Sequence, residues 1–426
     1  MQTLCLLVIL FMSFSNIKAI VNDRVTRVFN MEGPNVKQVT SIEFINDGKQ
    51  DIDSYILLVP SQHIDNLVHI EAKVKGEVLS TTKYDSNEIP STHVGYKVKL
   101  DAPLKAGKTG KISVTEEYIN RKKPFPSKMK ITDTPKVRVI DDAYYQTLYL
   151  TKKMKTTFEA GSSAAILKVT EIESGEVRGR SVRYGTYKDV EPMKSHPVYI
   201  HVGYDDPLPV FTEVKRSVTL SHWKSISIDE EYRLTNRIAT LEGEFGRLDY
   251  NPWKIKYSIN NLDCELPKLT TDLYYTDEIG NITTSHAFRG NNSVHFTIEP
   301  RFPLMGGWKT YWKQGYNLPK EEYITQEGSS DSYTFKINLS HPYNDIVAEN
   351  FSLTIVLPEG ATDIDLKLPF EVDSVERDTV YKYLDLRGRT SITLKRRNVM
   401  EKYHDKFVTV TYKLSAFDIY LKPVIL

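Results

Sequence analysis

Short runs that alternate apolar and polar residues, each cut off by Gly, Pro, Asn or Asp within about ten positions, recur along most of this 426-residue chain. Alternation at period two puts every second side chain on one face of a sheet, so such a chain buries its apolar residues by pairing strands. In the first half the runs are Val36 to Ile45, Tyr55 to Val59, Ile70 to Leu79, Tyr96 to Leu100, Ile112 to Tyr118, Ile166 to Val169 and Val198 to Val202. In the second half they are Ser293 to Ile298, Tyr333 to Leu339, Phe351 to Leu357, Ser391 to Leu394 and Val408 to Leu414. One short helix is expected at Val399 to Phe407, with Asn398 as cap, Glu401 three residues on, and Val399, Tyr403 and Phe407 on one face.

Pro207 and Pro209 interrupt the pattern, and alternation restarts with Val218, Leu220, Ile226 and Ile228. The expected organisation is mainly β, two tandem β-sandwich-like domains at 20–210 and 211–420 with few short helices. One pair of segments hints at duplication: Val114-Thr-Glu-Glu-Tyr-Ile-Asn-Arg-Lys-Lys-Pro in the first half, Thr310-Tyr-Trp-Lys-Gln-Gly-Tyr-Asn-Leu-Pro in the second. A hydrophobic content of 40% can fill two cores, and 56 Lys and Arg against 55 Asp and Glu leave a net charge of +1. That balance argues against nucleic acid as a partner.

Leu4 to Phe14 is an apolar run followed by Ile17-Lys-Ala19, the pattern of a secretory signal peptide at 1–19. Of two cysteines, Cys5 lies inside that leader, so the mature chain keeps Cys264 alone, expected as a buried free thiol with an intermolecular disulfide as the other reading. Asn-x-Ser/Thr sequons at Asn281, Asn291, Asn338 and Asn350 then become glycosylation candidates, Asn281 foremost because it follows a glycine in a turn.

Searches for catalysis fail. There is no His-Glu-x-x-His, Gly-x-Ser-x-Gly, Cys-x-x-Cys or dinucleotide fingerprint. Ala106-Gly-Lys-Thr109 imitates the end of a phosphate loop but has Ala102 where the first glycine belongs, and it precedes a strand. The ten histidines are scattered; His222 and His286 read as hydrogen-bonding groups in the core or at its rim. Asp277 and Glu278 would point to opposite faces of a strand and read as turn formers. No cofactor or metal is expected. The densest local signal is Arg301 to Pro319, with Phe302, Trp308 and Trp312 around Gly306-Gly307. It reads as two strand segments bent at the glycines, with Phe302 and Trp308 buried on one side and Trp312 on the other, either as a packed core corner or as a groove for a ligand or partner.

The order Ser221-His-Trp223, Tyr275-Thr-Asp-Glu-Ile-Gly-Asn-Ile-Thr-Thr-Ser-His286, Pro300-Arg-Phe-Pro-Leu-Met-Gly-Gly-Trp308 and Leu357-Pro-Glu-Gly-Ala361 resembles the luminal region of the ribophorin I family. Pro124-Phe-Pro126 occupies the position of the family's Pro-aromatic-Pro turn, and the resemblance extends over nearly all of the chain. It implies two luminal domains and a non-catalytic role in the oligosaccharyltransferase complex of the endoplasmic reticulum, which transfers a preassembled glycan from dolichyl diphosphate to asparagine. The implied partners are the other subunits, including the catalytic one, with nascent polypeptide as a further candidate. No catalytic residue is carried over; Trp223, Arg301, Gly306, Gly307, Trp308 and Trp312 are candidates for structural or partner-contact roles. Glu299 stands where the family often has Arg. The family's membrane helix would follow the second domain, and this sequence stops at Leu426 after what reads as the start of a juxtamembrane segment at 421–426. Association with the membrane is therefore expected through a C-terminal helix absent from this sequence or through the complex. The alternative from another class is a free secreted β-sandwich that binds carbohydrate or peptide on the aromatic stretch.

Overall fold

The computed structural model describes residues 19–425 apart from 163, 224, 283–284, 329–330 and 383–384, with the backbone alone at 421–425. Residues 1–18 of the leader expected at 1–19 lie outside the described residues. The chain divides into two compact units, Met1–Asp206 and Pro207–Leu426, and both are mainly β.

The central sheet of the first unit runs, strand beside strand, Gly175–Arg178, Ser181–Val190, Thr151–Glu159, Ile20–Asn30, Val36–Asn46, Thr109–Tyr118, Leu67–Val74 and Glu77–Leu79. Its first strand pairs in parallel with Thr151–Glu159 and antiparallel with Val36–Asn46. In Val36–Asn46 burial alternates residue by residue, as a sheet covered on one face requires. Val25, Ile42, Phe44, Ile112, Val114 and Met154 of this sheet share a core with Ile52, Tyr55, Leu57 and Val98 of a second sheet ordered Ile52–Pro60, His93–Leu104, Thr81–Tyr84. A third sheet is ordered Ala165–Val169, Pro197–Gly203, Lys136–Asp142, Lys123–Pro124.

The second unit repeats this plan without a counterpart of the edge strand Glu77–Leu79. Its central sheet runs Ser374–Val380, Arg389–Val399, Val347–Val356, Pro209–Thr219, Ser225–Asn236, Lys309–Pro319 and Thr271–Asp277, again with the unit's first strand parallel to one neighbour and antiparallel to the other. Its smaller sheets are ordered Leu262–Pro267, Ser293–Ile298, His286–Arg289 and Thr362–Lys367, Phe407–Lys413, Ser332–Asn338, Ile324–Gln326. Read in chain order, each of these strands has its counterpart in the first unit. The two segments whose likeness was visible in sequence fall on corresponding strands, Thr109–Tyr118 and Lys309–Pro319.

Four local expectations are corrected. The run Ile70 to Leu79 is two strands, because Lys75 and Gly76 both take positive φ, 49° and 97°, and turn the chain back on itself. The helix expected at Val399 to Phe407 is one turn, Glu401–His404, with Met400 at its N-cap. Val399 ends one strand and Phe407 begins another, so pairing with neighbouring strands outweighs local periodicity. Arg301 to Pro319 contains one long strand, Lys309–Pro319, not two segments bent at glycine. Phe302 remains 45% exposed instead of buried.

The last helix, Ala416–Ile425, has ten residues. Among the described residues no helix is long and apolar enough to cross a membrane.

Candidate functional site

Each unit has a partly open cavity of mixed polar and apolar lining, and the two lie at corresponding places in the repeated fold. In the first unit a cavity of about 410 Å³ is bordered by the unit's first strand (Arg27), the end of Thr109–Tyr118 (Glu116, Tyr118), the end of Lys136–Asp142 and the segments carrying Tyr144 to Gln146 and Ser195. In the second, about 740 Å³ is bordered by Arg216, Tyr316, the end of Ser332–Asn338, His341 and the turn carrying Glu401. Both volumes lie in the about 300–1,000 Å³ range of small-molecule pockets.

The polar residues reach the interior through the same alternation that makes the strands. Val25, Arg27 and Phe29 share a face, as do Ile112, Val114, Glu116 and Tyr118, so the charged members stand in line with core side chains. Burial leaves them only one another. Arg27 Nη1 donates to Asp141 Oδ1 at 3.2 Å, its Nη2 donates to the Asp142 carbonyl, and Arg121 donates to Asp141 and to the Ile140 carbonyl. Burial alone would raise the Asp141 carboxyl, but the guanidiniums of Arg121 and Arg27 hold it below its ordinary value. Glu116 Oε2 accepts from Gln38 Nε2 at 2.9 Å and from Tyr118 Oη at 2.7 Å. No cation bonds to it directly, and burial pushes its carboxyl up to about 7. His63, at the rim, is pushed down to about 4, first by burial and then by the charge of Arg121.

The second unit carries the same Gln, Glu and Tyr with acid and amide exchanged between strands. Glu230 Oε2 accepts from Gln314 Nε2 and Tyr232 Oη, both at 2.8 Å, and Gln314 Oε1 accepts from Trp312 Nε1 at 3.1 Å and Tyr343 Oη at 2.6 Å. The residue facing each arginine decides the difference that matters. Arg216 stands directly opposite Glu230 on the next strand, and its Nε lies 3.1 Å from Glu230 Oε1 as an ion pair. Arg27 stands opposite Thr40, two positions from Gln38, and turns to Asp141. Glu116 Oε1 accepts no hydrogen bond, and neither does the buried Tyr145 hydroxyl find a partner.

The residues singled out in sequence lie elsewhere in the second unit. Trp312 is 1% exposed and stacks on Tyr232 with ring centroids 5.0 Å apart. Trp308 is half-buried, edge-on to Phe302 at 5.8 Å and to Phe245 at 5.5 Å. Gly306 passes so close to the chain that an added Cβ would stand 1.9 Å from the Ala239 carbonyl oxygen, and Gly307 takes φ +78°. Arg301 clasps the turn Asp277–Asn281: its Nη2 donates to Asp277 Oδ1 at 3.0 Å and to the Gly280 and Asn281 carbonyls at 3.3 Å. Trp223 is exposed, donating to the Ile419 carbonyl and meeting the Tyr420 ring edge-on. Asp277, Glu278, Phe302 and Tyr311 border an open groove of about 390 Å³. Of the sequon residues Asn281, Asn291 and Asn350 are exposed, and Asn338 is half-buried beside the larger cavity. Cys264 is a free, buried thiol, pushed up by burial. His222 is half-buried, its Nε2 2.9 Å from Tyr412 Oη, and His286 is exposed on a strand.

Sequence reading missed Arg27, Gln38, Glu116 and Asp141, which are scattered over more than a hundred positions. The available signal was a charged residue in phase with apolar ones along a strand, as in Val25-Thr-Arg-Val-Phe29 and Ile112-Ser-Val-Thr-Glu-Glu-Tyr118. Among the described residues no group of three or more His, Cys, Asp or Glu is arranged to hold a metal ion.

Comparison with known proteins gives a consistent outcome. The family model described as Ribophorin I matches residues 20–426. The chain is 31% identical over 407 residues to dolichyl-diphosphooligosaccharide–protein glycosyltransferase subunit 1 of Caenorhabditis elegans, covering 94% of this chain and 68% of that protein. It is 29% identical over 436 residues to subunit 1A of Arabidopsis thaliana, covering 99% and 70%. Against subunit 1B of Arabidopsis thaliana the identity is 31% over 390 residues, covering 89% and 83%.

Proposed function

The chain belongs to the ribophorin I family, and from that premise we propose that it is a non-catalytic subunit of the oligosaccharyltransferase complex, serving protein N-glycosylation in the endoplasmic reticulum. The observation that carries the reading is the match across 20–426, which takes in both units, with relatives whose names are those of subunit 1 of a glycosyltransferase. The chemistry of the chain agrees with a supporting role. Several of its buried charges are paired with one another inside the two β units: Arg27 and Arg121 with Asp141, Arg216 with Glu230.

The partners are the other subunits, the catalytic one among them, and the membrane is reached through the complex or through a helix beyond this sequence. Surface available for such contacts includes Ile279 and Phe302 beside the open groove and Leu248 and Trp253 on a long loop, all exposed apolar side chains. Presentation of acceptor polypeptide is the finer role. An extended chain can add to a sheet edge, and Ser374–Val380 is an edge strand whose residues are mostly exposed.

Affinity capture of the tagged chain tests the assignment. Recovery of the catalytic subunit, together with underglycosylated reporter proteins on depletion, is expected. Full reporter glycosylation without any co-purifying subunit would remove it. Crosslinking from Ser374–Val380 to an arrested nascent chain tests acceptor presentation separately.

A further inference from the structure

The outer face of the third sheet in the first unit carries a single row of basic groups. Strand register sets Lys123 opposite Arg138, Arg138 opposite His201 and His201 opposite Lys168, so four neighbouring strands contribute one basic side chain each. Val137, Val139, Ile200 and Val202, which alternate with them, are buried, and this leaves the row on the exposed side. The fold does not require it. In the second unit the corresponding row, taken from the same pairings, is Thr325, Thr334, Thr411 and Asp365. Like charges directly opposite each other cost stability, and among the described residues no carboxylate pairs with Lys123, Arg138 or Lys168. Asp142, on the same face of its strand, is taken up by the His196 amide at 2.9 Å and Gln146 Nε2 at 3.2 Å.

Arg138 is held ready for an anion. Its guanidinium carbon lies 3.5 Å from the centre of the Phe125 ring and 5.2 Å from that of Tyr199, and stacking of this kind leaves the donors on its edge free to grip two oxygens at once. Phe125, Ile140 and Leu167 beside the row are 46%, 56% and 49% exposed, so apolar surface flanks the cations. Strands about 4.8 Å apart make the row roughly 14 Å long, and three carboxylates at alternate positions of an extended peptide, about 6.8 Å apart, span the same length. One row with one pinned guanidinium suits a partner whose charges keep a fixed spacing, whereas a lipid surface engages a broad basic cluster. We infer that this face docks an extended acidic segment of another protein, with carboxylates on the row of Lys123, Arg138, His201 and Lys168 and apolar side chains on Phe125, Ile140 and Leu167. The inference stands on the first unit alone and does not depend on membership in a complex.

The test uses the purified full chain and the fluorescence anisotropy of a labelled peptide, Glu-Leu-Glu-Ser-Glu-Leu-Glu-Ser, beside the same peptide with lysine for glutamate. Saturable binding of the acidic peptide only, weakening as salt rises, is expected. Arg138→Gln is expected to weaken it about tenfold, the equivalent of one charge-assisted hydrogen bond. Lys168→Gln is expected to weaken it about threefold, as for an exposed ion pair. Lys123→Gln removes a like-charge contact, so it is expected to weaken binding while keeping or raising the thermal midpoint, which separates lost docking from lost folding. Lys153→Gln, exposed on the central sheet, is expected to change nothing. The inference is overturned if the acidic peptide does not bind, or if Lys153→Gln weakens it as much as Arg138→Gln does. It is overturned equally if phosphatidylserine vesicles or inorganic phosphate, and not the peptide, bind in a way that Arg138→Gln abolishes.

Discussion

Glu230 and Gln314 stand directly opposite each other on adjacent strands, the amide donating to the carboxylate at 2.8 Å, both fully buried among Tyr232, Arg216, Trp312 and Tyr343. Gln38 and Glu116 form a like pair in the first unit with the two side chains exchanged. A buried network of this kind is strongly specifying when complete and costly when broken.

Trp312→Ala should destabilise the second unit by about 3–5 kcal/mol, the cost of deleting a buried aromatic and leaving a cavity. It also removes the Nε1 donor to Gln314 Oε1. Trp308 is only half-buried, and Trp308→Ala should cost about 1–2 kcal/mol. Denaturant unfolding of the full chain measures both. Equal losses would mean that the half-buried ring carries as much of the corner as the buried one.

Gly306→Ala should abolish folding of its corner, because the new Cβ falls 1.9 Å from the backbone oxygen of Ala239, which no rotamer can relieve. Gly76→Ala is the control. Its φ is +97° but nothing lies within 4 Å of the added carbon, so only the backbone strain of about 1–2 kcal/mol applies. Expression yield and thermal midpoint of the two variants separate steric clash from conformational strain.

Stability should fall as the pH is lowered from 6.5 towards 4. Burial pushes His63, His222 and His341 from 6.5 down to about 4, so each imidazole takes a proton more readily in the unfolded chain than in the folded one. Their contribution is complete above pH 6.5 and is lost through that window. Glu116 has the opposite sign: its carboxyl is raised from 4.5 to about 7, so its contribution is full below pH 4.5 and is lost as the pH rises through 7. Denaturation midpoints between pH 4 and 8 are expected to rise with pH up to 6.5, less steeply in His341→Gln and more steeply in Glu116→Gln.

Asn281 should carry a glycan when the chain is made in a secretory host. It is exposed in the turn that Arg301 holds, with Asp277 Oδ1 also accepting from the Ile279 and Gly280 amides at 2.9 and 3.0 Å. Glycosidase treatment of the wild-type chain should lower its mass, and Asn281→Gln should remove one step of that shift. An undiminished shift would leave the modification to Asn291, Asn338 or Asn350.

Much of the fold was legible because strands write their burial into the chain at period two. Val408-Thr-Val-Thr-Tyr-Lys-Leu414 alternates in sequence and alternates in burial, and the turn chemistry around it marks where the strand ends. The helix expected at Val399 to Phe407 failed for the converse reason. Three residues on one helical face are a weak signal when both ends of the segment are claimed by neighbouring strands. The duplication was visible only at Thr109–Tyr118 and Lys309–Pro319, because strand order is a property of hydrogen-bonded neighbours and leaves little trace in residue identity.

By itself the sequence determined the class of structure, most of the strand segments and, through an ordered set of motifs from 221 to 361, the family. All of these rest on residues near one another in the chain or on their order along it. Only the tertiary structure decided that Arg27, Gln38, Glu116 and Asp141 meet around one cavity, and that Arg216 lies against Glu230 while Arg27 turns to Asp141. These residues are far apart in the chain and meet because non-consecutive strands pair, and that pairing is set by how whole sheets pack, not by the residues that end up facing each other.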